Sequence, residues 1–384
     1  MKKNKFTCLT LLLFCSAIIS KLQAQTSLFA NIDIDGVTRE YKIYIPAIYD
    51  GSVAVPLVFN FHGYGSSFTE QEQYGDFRAI ADTANFILIH PQGLPDNFGT
   101  TSWNTFGNST ANDLGFISTL IDTLLQNYNI DSTAIYSTGM SNGGFMSYEL
   151  ACQLSNRIAA VASVTGSISN TNITLCNAQH PMPVMQIHGT NDGTVLYTGN
   201  VIFQPIENVI NYWMQFNNCD TAAIFNAIPD IVSTDNCTAE HYVYANGTNG
   251  VEVEFYKIIN GGHSWPGAPV NLNTTNMDFM ANQEIWRFFR KYKLGGSIVT
   301  STHHKIATQN DFSVFPNPSS GDFTVHFQNE KRRKIELSNA LGQIINTFYN
   351  NTNQMVLTLP QQGIYFISII ENDGSMQSKR LIKL

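Results

Sequence analysis

The sequence predicts an α/β domain with a mostly parallel central sheet flanked by helices, followed by a small all-β sandwich. Two observations support this prediction. From residue 25 to about 294, short apolar segments alternate with stretches of helical spacing, as a largely parallel sheet requires. From residue 312 to 384, short strands of alternating apolar and polar residues are separated by turns. We therefore expect two folded domains in this chain.

Composition supports folded domains and excludes one class of partner. Hydrophobic residues make up 43% of the 384 residues and charged residues 13%, so the chain can bury a sizeable core. The formal net charge is −8, and it is spread along the chain instead of being held in one run. Nucleic-acid binding needs a basic surface that displaces counterions. We therefore expect no nucleic-acid partner.

The N-terminal residues predict an export signal. Three lysines within the first five residues precede an apolar stretch, Leu9–Ile19, which is too short to span a membrane comfortably. Leu22-Gln23-Ala24 suits a cleavage site and would leave Gln25 as the mature N-terminus. The alternative is an uncleaved anchor, which the short apolar stretch disfavours. We expect a signal peptide at 1–24 and no membrane span after its removal.

The first half of the α/β domain begins with strands. Asn31–Ile45 alternates like a hairpin, with Asp35-Gly36 at its turn. Pro56–Phe61 and Phe86–His90 are short apolar runs that predict buried strands. These segments form the first part of the expected sheet.

A helix and further strands follow. Gly115–Asn127 has helical spacing, and Asp113 stands where an N-cap residue belongs. The remaining predicted elements are strands at Ala134–Thr138, Ala159–Val164, Val184–Ile187 and Val251–Ile259, and a helix at Met277–Tyr292. Residues 295–311 lack periodicity and predict a linker. The predicted domains are therefore 25–294 and 312–384.

The cysteines predict disulfides. Four cysteines remain after removal of the signal, and an even count in an exported protein favours disulfide bonds. Three pairings are possible. We favour Cys152–Cys176 with Cys219–Cys237, because each closes a short local loop. No Cys or His cluster has the spacing of zinc ligands, so we expect no metal site.

The segment Gly139-Met-Ser-Asn-Gly143 matches the pattern G-x-S-x-G and lies between a predicted strand and a predicted helix. In this context the pattern indicates a nucleophile elbow, a sharp turn that exposes a serine hydroxyl above the sheet. Ser141 is therefore the predicted nucleophile. The same turn directs the N–H of the next residue, Asn142, towards a developing oxyanion.

An elbow serine needs an acid and a histidine later in the chain. Asp192 follows the strand that ends near Ile187, and His263 lies in a glycine-rich loop after the last strand. We predict that Asp192 orients His263, which exchanges a proton with Ser141. Asp113 is a weaker candidate for the acid because it suits a helix cap. His188 fits a structural role at a strand end better than a catalytic one.

His62-Gly63-Tyr64-Gly65 follows a predicted strand, where the second oxyanion donor belongs. We predict that the backbone N–H of Tyr64 is this donor, and an ordinary turn is the alternative. Trp103 and Trp265 are candidates for substrate binding. A tryptophan is as often plain core, so these two interpretations stay open.

Three blocks of the sequence carry a family resemblance. They are Gly139–Gly144, His188–Asp192 and Gly262–Gly267, which occur in this order within Asp33–Tyr292. Together they resemble the polyhydroxybutyrate depolymerase/feruloyl esterase type of α/β-hydrolase, which overlaps carbohydrate esterase family one. The resemblance implies an α/β-hydrolase fold, a Ser-Asp-His triad, and neither a metal nor another cofactor. The family often has a cysteine where this chain has Tyr64, a departure that removes a possible disulfide there.

The C-terminal region carries a second resemblance. Phe315–Gly321, Gly363–Ile367 and the basic end Lys379–Leu384 look like a type IX secretion sorting domain. The resemblance implies a Bacteroidota-type cell, export through the periplasm, the type IX machinery as a partner, and a secreted or cell-surface location. It leaves open whether the domain is removed or anchors the protein.

The expected function is that of a secreted serine esterase that acts through an acyl-enzyme. The expected substrates are feruloyl or acetyl esters of plant polysaccharide, or a hydroxyalkanoate polyester. Two alternatives remain, a secreted serine peptidase of the same fold and a non-catalytic carbohydrate-binding or adhesion protein. A complete set of Ser141, Asp192 and His263 argues against the last.

Overall fold

The computed structural model describes residues 25–269, 274–298, 312–330, 332–339, 344–370 and 376–384. It divides into two compact units, with the division between Val299 and Thr300. The expected signal peptide and most of the expected linker, residues 299–311, lie outside the described residues. The two units are described separately below.

The strands of the N-terminal unit occupy much of its length. In chain order they are β1 (Thr26–Ile34), β2 (Val37–Ile45), β3 (Val55–Phe61), β4 (Ile87–Pro91), β5 (Leu94–Pro95), β6 (Thr101–Ser102), β7 (Ile130–Met140), β8 (Ala160–Val164), β9 (Val184–Gly189), β10 (Ile224–Ala227), β11 (Thr238–Tyr244), β12 (Val253–Ile259), β13 (Tyr292–Lys293) and β14 (Gly296–Ser297). The helices are α1 (Phe68–Tyr74), α2 (Arg78–Ala84), α3 (Asp113–Asn127), α4 (Asn142–Gln153), α5 (Ile206–Phe216) and α6 (Ala281–Phe289), with short 3-10 turns at Ser233–Asp235 and Thr248–Gly250.

The central sheet has the order β1-β2-β4-β3-β7-β8-β9-β12-β11-β10. Strands β4, β3, β7, β8, β9 and β12 run parallel to one another, and antiparallel strands extend the sheet at both edges. Because the central strands are parallel, the loops after β3, β7, β9 and β12 emerge at the same edge. This edge therefore collects the residues that follow Phe61, Met140, Gly189 and Ile259.

Helices cover both faces of the sheet. Phe59 on β3 belongs to an apolar cluster shared with α3, α4 and α5. Its neighbour Val58 belongs to a second cluster, shared with α2 and α6. Successive side chains of a strand point to opposite faces, so consecutive apolar residues are expected in a strand buried on both sides. The predicted α/β sheet is confirmed.

The predicted hairpin is also present. Strands β1 and β2 pair antiparallel from Thr26 with Ile45 to Ile34 with Val37. Asp35 and Gly36 form the two-residue turn, with φ of 52° and 79°. Two consecutive residues with positive φ are typical of a type I′ turn, whose twist matches that of paired strands.

The predicted cap of α3 is wrong by one residue. The N-cap residue is Asn112, whose side chain accepts a hydrogen bond of 2.9 Å from the N–H of Gly115. Asp113 is the first helical residue and is buried, and its Oδ1 lies 2.6 Å from an Nη2 of Arg39. A buried ion pair therefore explains Asp113 better than a cap does.

The cysteine prediction is half right. Cys152 and Cys176 form the expected disulfide, but Cys219 and Cys237 are buried thiols. Cys237 directly precedes Thr238, the first residue of β11, which pairs with Ile259 at the end of β12. Cys219 lies beside Val251, near the start of β12. The length of β12, roughly 20 Å at about 3.3 Å per residue, separates them. A disulfide needs Cα atoms within about 7 Å, so short sequence separation misled the prediction.

The C-terminal unit is all-β, as predicted. Its strands are β15 (Phe312–Phe315), β16 (Phe323–Phe327), β17 (Arg333–Asn339), β18 (Ile344–Asn350), β19 (Gln354–Leu357), β20 (Gly363–Ile370) and β21 (Met376–Lys383). They form two antiparallel sheets, β15-β16-β19 and β18-β17-β20-β21. Phe323, Ile335 and Ile367 contribute to one core drawn from both sheets, which is the packing of a small sandwich.

Candidate active site

Ser141 occupies a strained turn between β7 and α4. Strand β7 ends at Met140, helix α4 begins at Asn142, and Ser141 has φ 55° and ψ −119°. A residue with a side chain rarely adopts positive φ, so this conformation is held by its surroundings. The N–H of Ser141 donates a 2.8 Å hydrogen bond to the carbonyl of Val164 on the neighbouring strand β8. This is the geometry expected of a nucleophile elbow.

Two glycines allow the elbow to pack against the sheet. A Cβ on Gly143 would lie 2.1 Å from the carbonyl oxygen of Phe61, and one on Gly139 would lie 2.6 Å from the backbone of Gly143. Neither distance is possible for a real side chain. Helix α4 therefore approaches β3 and β7 closely only because both positions are glycine.

Asp192 and His263 form a hydrogen-bonded pair. The Nδ1 of His263 lies 2.8 Å from Oδ2 of Asp192. The other oxygen, Oδ1, accepts hydrogen bonds from the backbone N–H groups of Thr194 and Val195 at 2.8 and 2.9 Å. Burial alone would raise the pKa of Asp192, but the hydrogen bond and positive charge offered by His263 hold that pKa below its ordinary value. Asp192 is thus kept as a carboxylate that faces the imidazole.

The loops that carry this pair lie against each other. A Cβ on Gly189 would lie 2.2 Å from the carbonyl oxygen of Gly261. The N–H of Asn191 donates to that same carbonyl at 3.0 Å, and the N–H of Thr190 donates to Ile258 at 2.8 Å. The glycine-rich sequence around His263 therefore brings its loop down onto the loop of Asp192.

Ser141 and His263 line one open cavity of about 380 Å³ at the carboxyl edge of the sheet. We call it the Ser141 cavity. Its lining also includes Gly63, Tyr64, Ser66, Glu70, Tyr74 and Met140. Asp192 is 3% exposed and lies behind His263, away from solvent. The structure thus brings together the three residues that the sequence selected.

The segment after β3 lies beside Ser141. A Cβ on Gly63 would be 3.4 Å from Cβ of Ser141, so Gly63 passes directly next to the serine. The Nε2 of buried His62 accepts the N–H of Gly93 at 2.9 Å, which leaves the proton on Nδ1. Nδ1 then donates to the carbonyl oxygen of Gly63 at 2.7 Å. Burial lowers the pKa of His62 to about 4, so the ring is neutral at pH 7.

Trp103 and Trp265 are buried in the core and do not line the Ser141 cavity, so of the two interpretations left open by the sequence the structure favours the core one. Trp265 donates through Nε1 to Oδ1 of Asn282 at 3.0 Å. Trp103 has a different structural role: its Nε1 donates to the carbonyl of His62 at 2.9 Å, and its N–H donates to Oδ1 of Asn142 at 2.7 Å. Trp103 therefore joins the segment after β3 to the start of α4.

His188 is structural, as the sequence indicated. It is fully buried, its Nε2 lies 2.8 Å from the carbonyl of Val195, and its Nδ1 lies 3.0 Å from the side-chain nitrogen of Gln186. Burial lowers the pKa of His188 to about 4, although Asp192 nearby opposes that effect. His188 supports the loop that carries Asp192.

Comparison with known proteins agrees with this architecture. Residues 49–209 match the phospholipase/carboxylesterase family model, and residues 313–383 match the secretion system C-terminal sorting domain. The N-terminal unit has the α/β-hydrolase fold. The fold class and the family resemblance inferred from the sequence are thereby confirmed.

Curated relatives of the hydrolase unit are esterases. The bifunctional acetylxylan esterase/xylanase of Neocallimastix patriciarum is 27% identical over 69% of this chain, and feruloyl esterase B of Piromyces equi is 27% identical over 59%. The chain spans only 35% and 42% of the lengths of these two relatives. Among solved structures, an acetyl xylan esterase from Aspergillus awamori has a TM-score of 0.48 at 16% identity, covering 68% of this chain and 99% of that one.

One wall of the Ser141 cavity was not predicted from the sequence. Helix α1 places Glu70 and Tyr74 in the cavity lining, and neither was predicted. A signal was present, because Ser67-Phe-Thr-Glu70 has the S-x-x-E pattern of a helix start. Ser67 is indeed the N-cap of α1 and accepts the N–H of Glu70 at 3.3 Å.

Two further observations concern metals and membranes. Within the described residues, no group of three or more His, Cys, Asp or Glu side chains could hold a metal ion. In the same part of the chain, no helix has both the length and the apolar character needed to cross a bilayer.

Proposed function

We propose that this protein is a secreted serine esterase that hydrolyses carboxylic esters through an acyl-enzyme on Ser141. The observation that carries the proposal is the pairing of His263 with the buried Asp192 at 2.8 Å, on the same cavity as a strained Ser141. The match to the carboxylesterase family and the esterase relatives support it.

The chemistry follows from the tautomer of His263. Because Nδ1 donates to Asp192, Nε2 is the basic nitrogen of the ring. As the hydroxyl oxygen of Ser141 attacks the ester carbonyl, its proton passes to Nε2, and Asp192 stabilises the resulting imidazolium. The ester C–O bond then breaks, Nε2 returns the proton to the leaving alcohol, and the acyl group stays on Ser141. Water, deprotonated by the same nitrogen, releases the acid and restores the serine.

Two backbone N–H groups stabilise the oxyanion in this mechanism. One belongs to Asn142 at the start of α4, and the other belongs to Tyr64, next to Gly63. Amide dipoles fixed before the reaction stabilise developing charge without having to reorganise, and the N-terminus of α4 adds to this field. The side chain of Asn142 bonds to Trp103 and to Thr105, so its backbone is held in place.

The proposed substrates are feruloyl or acetyl esters of plant polysaccharide, with a hydroxyalkanoate polyester as the alternative. Acetylxylan and feruloyl esterase relatives support the first choice. A cavity of about 380 Å³ lies within the range of about 300–1,000 Å³ that small-molecule sites occupy. The site is therefore large enough for an acyl group bigger than acetate.

The proposed location is outside the cell. The match of residues 313–383 to a secretion sorting domain supports export and a secreted or cell-surface enzyme. We further propose that the type IX secretion machinery handles this domain after the chain has crossed the periplasm. A polymer substrate would be accessible only to an enzyme in that location.

The decisive test compares Ser141→Ala with Ser132→Ala in the full-length protein. Ser132 is an exposed residue of the same strand, β7, and serves as the matched control. We expect Ser141→Ala to lower kcat on methyl ferulate and 4-nitrophenyl acetate by about 10⁶-fold, and Ser132→Ala to leave it unchanged. Residual turnover of Ser141→Ala within about tenfold of the wild type would exclude the serine mechanism. Digestion of casein without ester turnover would instead indicate a peptidase.

A further inference from the structure

One wall of the Ser141 cavity is a hydrogen-bonded cluster of three polar side chains. The hydroxyl of Ser66 donates to Oε2 of Glu70 at 2.7 Å, and the hydroxyl of Tyr74 lies 3.2 Å from that of Ser66. All three residues line the cavity together with Ser141. The cluster is therefore part of the surface that a bound substrate would meet.

The directions of the hydrogen bonds leave the Glu70 carboxylate able to accept a further hydrogen bond. Ser66 has a single proton, which goes to Glu70, so the Tyr74 hydroxyl donates to the Ser66 oxygen. Among the described residues, only Ser66 donates to the Glu70 carboxylate. A carboxylate has room for several donors, so Glu70 keeps an accepting position for a ligand.

Helix α1 holds this cluster in place. Glu70 and Tyr74 are four residues apart and lie on one face of the helix. The helix is held to the sheet by Gln71, which donates to Oδ1 of Asn60 on β3 at 2.7 Å, and by Glu72, whose carboxylate is 2.7 Å from the ammonium group of Lys42 on β2. The Glu70 carboxylate is thus held by a helix that is bonded to the sheet, and not by a loop.

Aromatic rings complete the wall. The side chain of Tyr64 is half exposed and lines the cavity, and its hydroxyl donates to Oδ2 of Asp96 at 2.9 Å. Tyr64 and Tyr74 together offer apolar ring surface, while Glu70 offers the acceptor. Planar apolar surface next to one charged acceptor suits an aromatic ring that carries a hydroxyl group.

We propose that Glu70 is a specificity-determining residue that selects substrates whose aromatic group donates a hydroxyl hydrogen bond in the Ser141 cavity. The proposal rests on the esterase function proposed above, because the substrate must also reach Ser141. A neutral phenol donates to the exposed Glu70 carboxylate, whereas the same ring without its hydroxyl covers that carboxylate and leaves it with Ser66 as its only donor among the described residues. Sites built around such a hydrogen bond reject the analogue that lacks the donor.

The test measures kcat/KM for methyl 4-hydroxycinnamate and methyl cinnamate, which differ by one hydroxyl, and for 4-nitrophenyl acetate. We expect the wild-type full-length enzyme to prefer the hydroxylated ester by about tenfold or more. Glu70→Met is expected to reduce that ratio to about one, and turnover of 4-nitrophenyl acetate shows whether the variant is still a folded esterase. Glu40→Met, at an exposed position of β2 outside the cavity lining, serves as the matched control and is expected to retain the wild-type ratio.

The outcomes separate the two proposals. Hydrolysis of all three esters with a wild-type ratio near one, or with a ratio that Glu70→Met leaves unchanged, overturns the role of Glu70 and leaves the esterase function standing. Turnover of none of the three esters overturns both. Tyr74→Phe is a second, shape-conserving variant that keeps the ring: a partial loss of the preference supports the cluster if Glu70→Met folds poorly, and no loss counts against it.

Discussion

The imidazole of His62 donates a hydrogen bond of 2.7 Å to the carbonyl oxygen of the next residue, Gly63. That carbonyl belongs to the same peptide unit as the N–H of Tyr64. In a planar trans peptide the C=O and N–H bonds point in opposite directions, so fixing the oxygen also fixes the hydrogen. His62 therefore orients the proposed oxyanion donor without touching the substrate.

This relationship makes His62 a positioning residue, and its replacement should affect kcat more than KM. We expect His62→Ala to lower kcat on 4-nitrophenyl acetate by about 10²-fold, the order found when one oxyanion donor is lost. His62→Asn can keep a donor close to the position of Nδ1 and is expected to recover part of the rate. Steady-state kinetics at pH 7.5 provide the measurement, and thermal unfolding of both variants provides the control. Equal rates for the two variants, at similar stability, would contradict the positioning role.

Acid is predicted to destabilise the hydrolase unit below neutral pH. Burial lowers the pKa of His62 and of His188 to about 4 and that of His90 to about 3. In the unfolded chain these histidines take up protons near pH 6.5, so between about pH 4 and 6.5 the unfolded state binds more protons. Stability is therefore present above pH 6.5 and is lost as the pH falls, by up to about 1.4 kcal/mol per pH unit for each histidine.

Urea unfolding at several pH values between 4.5 and 7.5 tests this prediction. The four tryptophans, at positions 103, 213, 265 and 286, all lie in the N-terminal unit, so their fluorescence reports on that unit alone. A free energy of unfolding that stays constant from pH 7.5 to 5 would show that these histidines are not held neutral.

The two unpaired cysteines are predicted to be unreactive in the folded protein. Burial raises the pKa of the Cys219 thiol to about 11 and that of Cys237 to about 12, so neither forms a thiolate at pH 8. We expect iodoacetamide to modify both slowly in the native protein and rapidly in 6 M guanidinium without reductant, as measured by peptide mass mapping. Protection of both residues after unfolding would reveal the Cys219–Cys237 disulfide that the sequence suggested.

The contrast between these cysteines and the proposed triad shows what a sequence can predict. The sequence selected Ser141, Asp192 and His263 because each follows a strand of a parallel sheet, and parallel strands bring such loops to one edge. Cys219 and Cys237 are closer in sequence, yet β12 separates them in space. When the directions of the strands are known, the topology of the sheet determines which loops lie close together. A disulfide depends on the distance between two side chains, which the sequence separation of the cysteines does not determine.

The walls of the candidate site were harder to predict than the positions of the proposed triad residues. Trp103 and Trp265 were candidates for substrate binding, but both are buried in the core. Glu70 lies in a short helix whose N-cap residue could be recognised in the sequence. Which face of that helix lines the cavity depends on how Gln71 is bonded to the sheet. Burial and orientation are properties of packing, and they appear only when the elements are assembled.

The strain at Ser141 leads to a prediction about stability. Its φ of 55° and ψ of −119° suit glycine and cost a residue with a side chain about 1–3 kcal/mol. Ser141→Gly and Ser141→Ala both remove the hydroxyl and are expected to be inactive. Ser141→Gly is nevertheless expected to unfold with a free energy about 1 kcal/mol higher than Ser141→Ala, because it relieves the strain. The measurement is urea unfolding followed by tryptophan fluorescence, and equal stability of the two variants would count against strain at the elbow.

Two buried aspartates allow the proposed catalytic role of one to be separated from the structural role of the other. Asp192 bonds His263 at 2.8 Å, whereas Asp113 pairs with Arg39 at 2.6 Å and accepts the N–H of Asn104 at 2.7 Å. Asp192→Asn keeps the size of the side chain but favours the wrong tautomer of His263, so we expect kcat to fall by about 10⁴-fold.

Asp113→Asn leaves the Arg39 charge buried without its partner, so we expect a loss of about 3–5 kcal/mol in the free energy of unfolding and little change in kcat per folded molecule. Active-site titration with a fluorophosphonate counts the folded enzyme in each preparation, so that kcat and stability are measured independently. A loss of kcat in Asp113→Asn comparable to that in Asp192→Asn would move the acid of the triad to Asp113, because a purely structural ion pair affects the amount of folded enzyme and leaves the proton transfer at His263 unchanged.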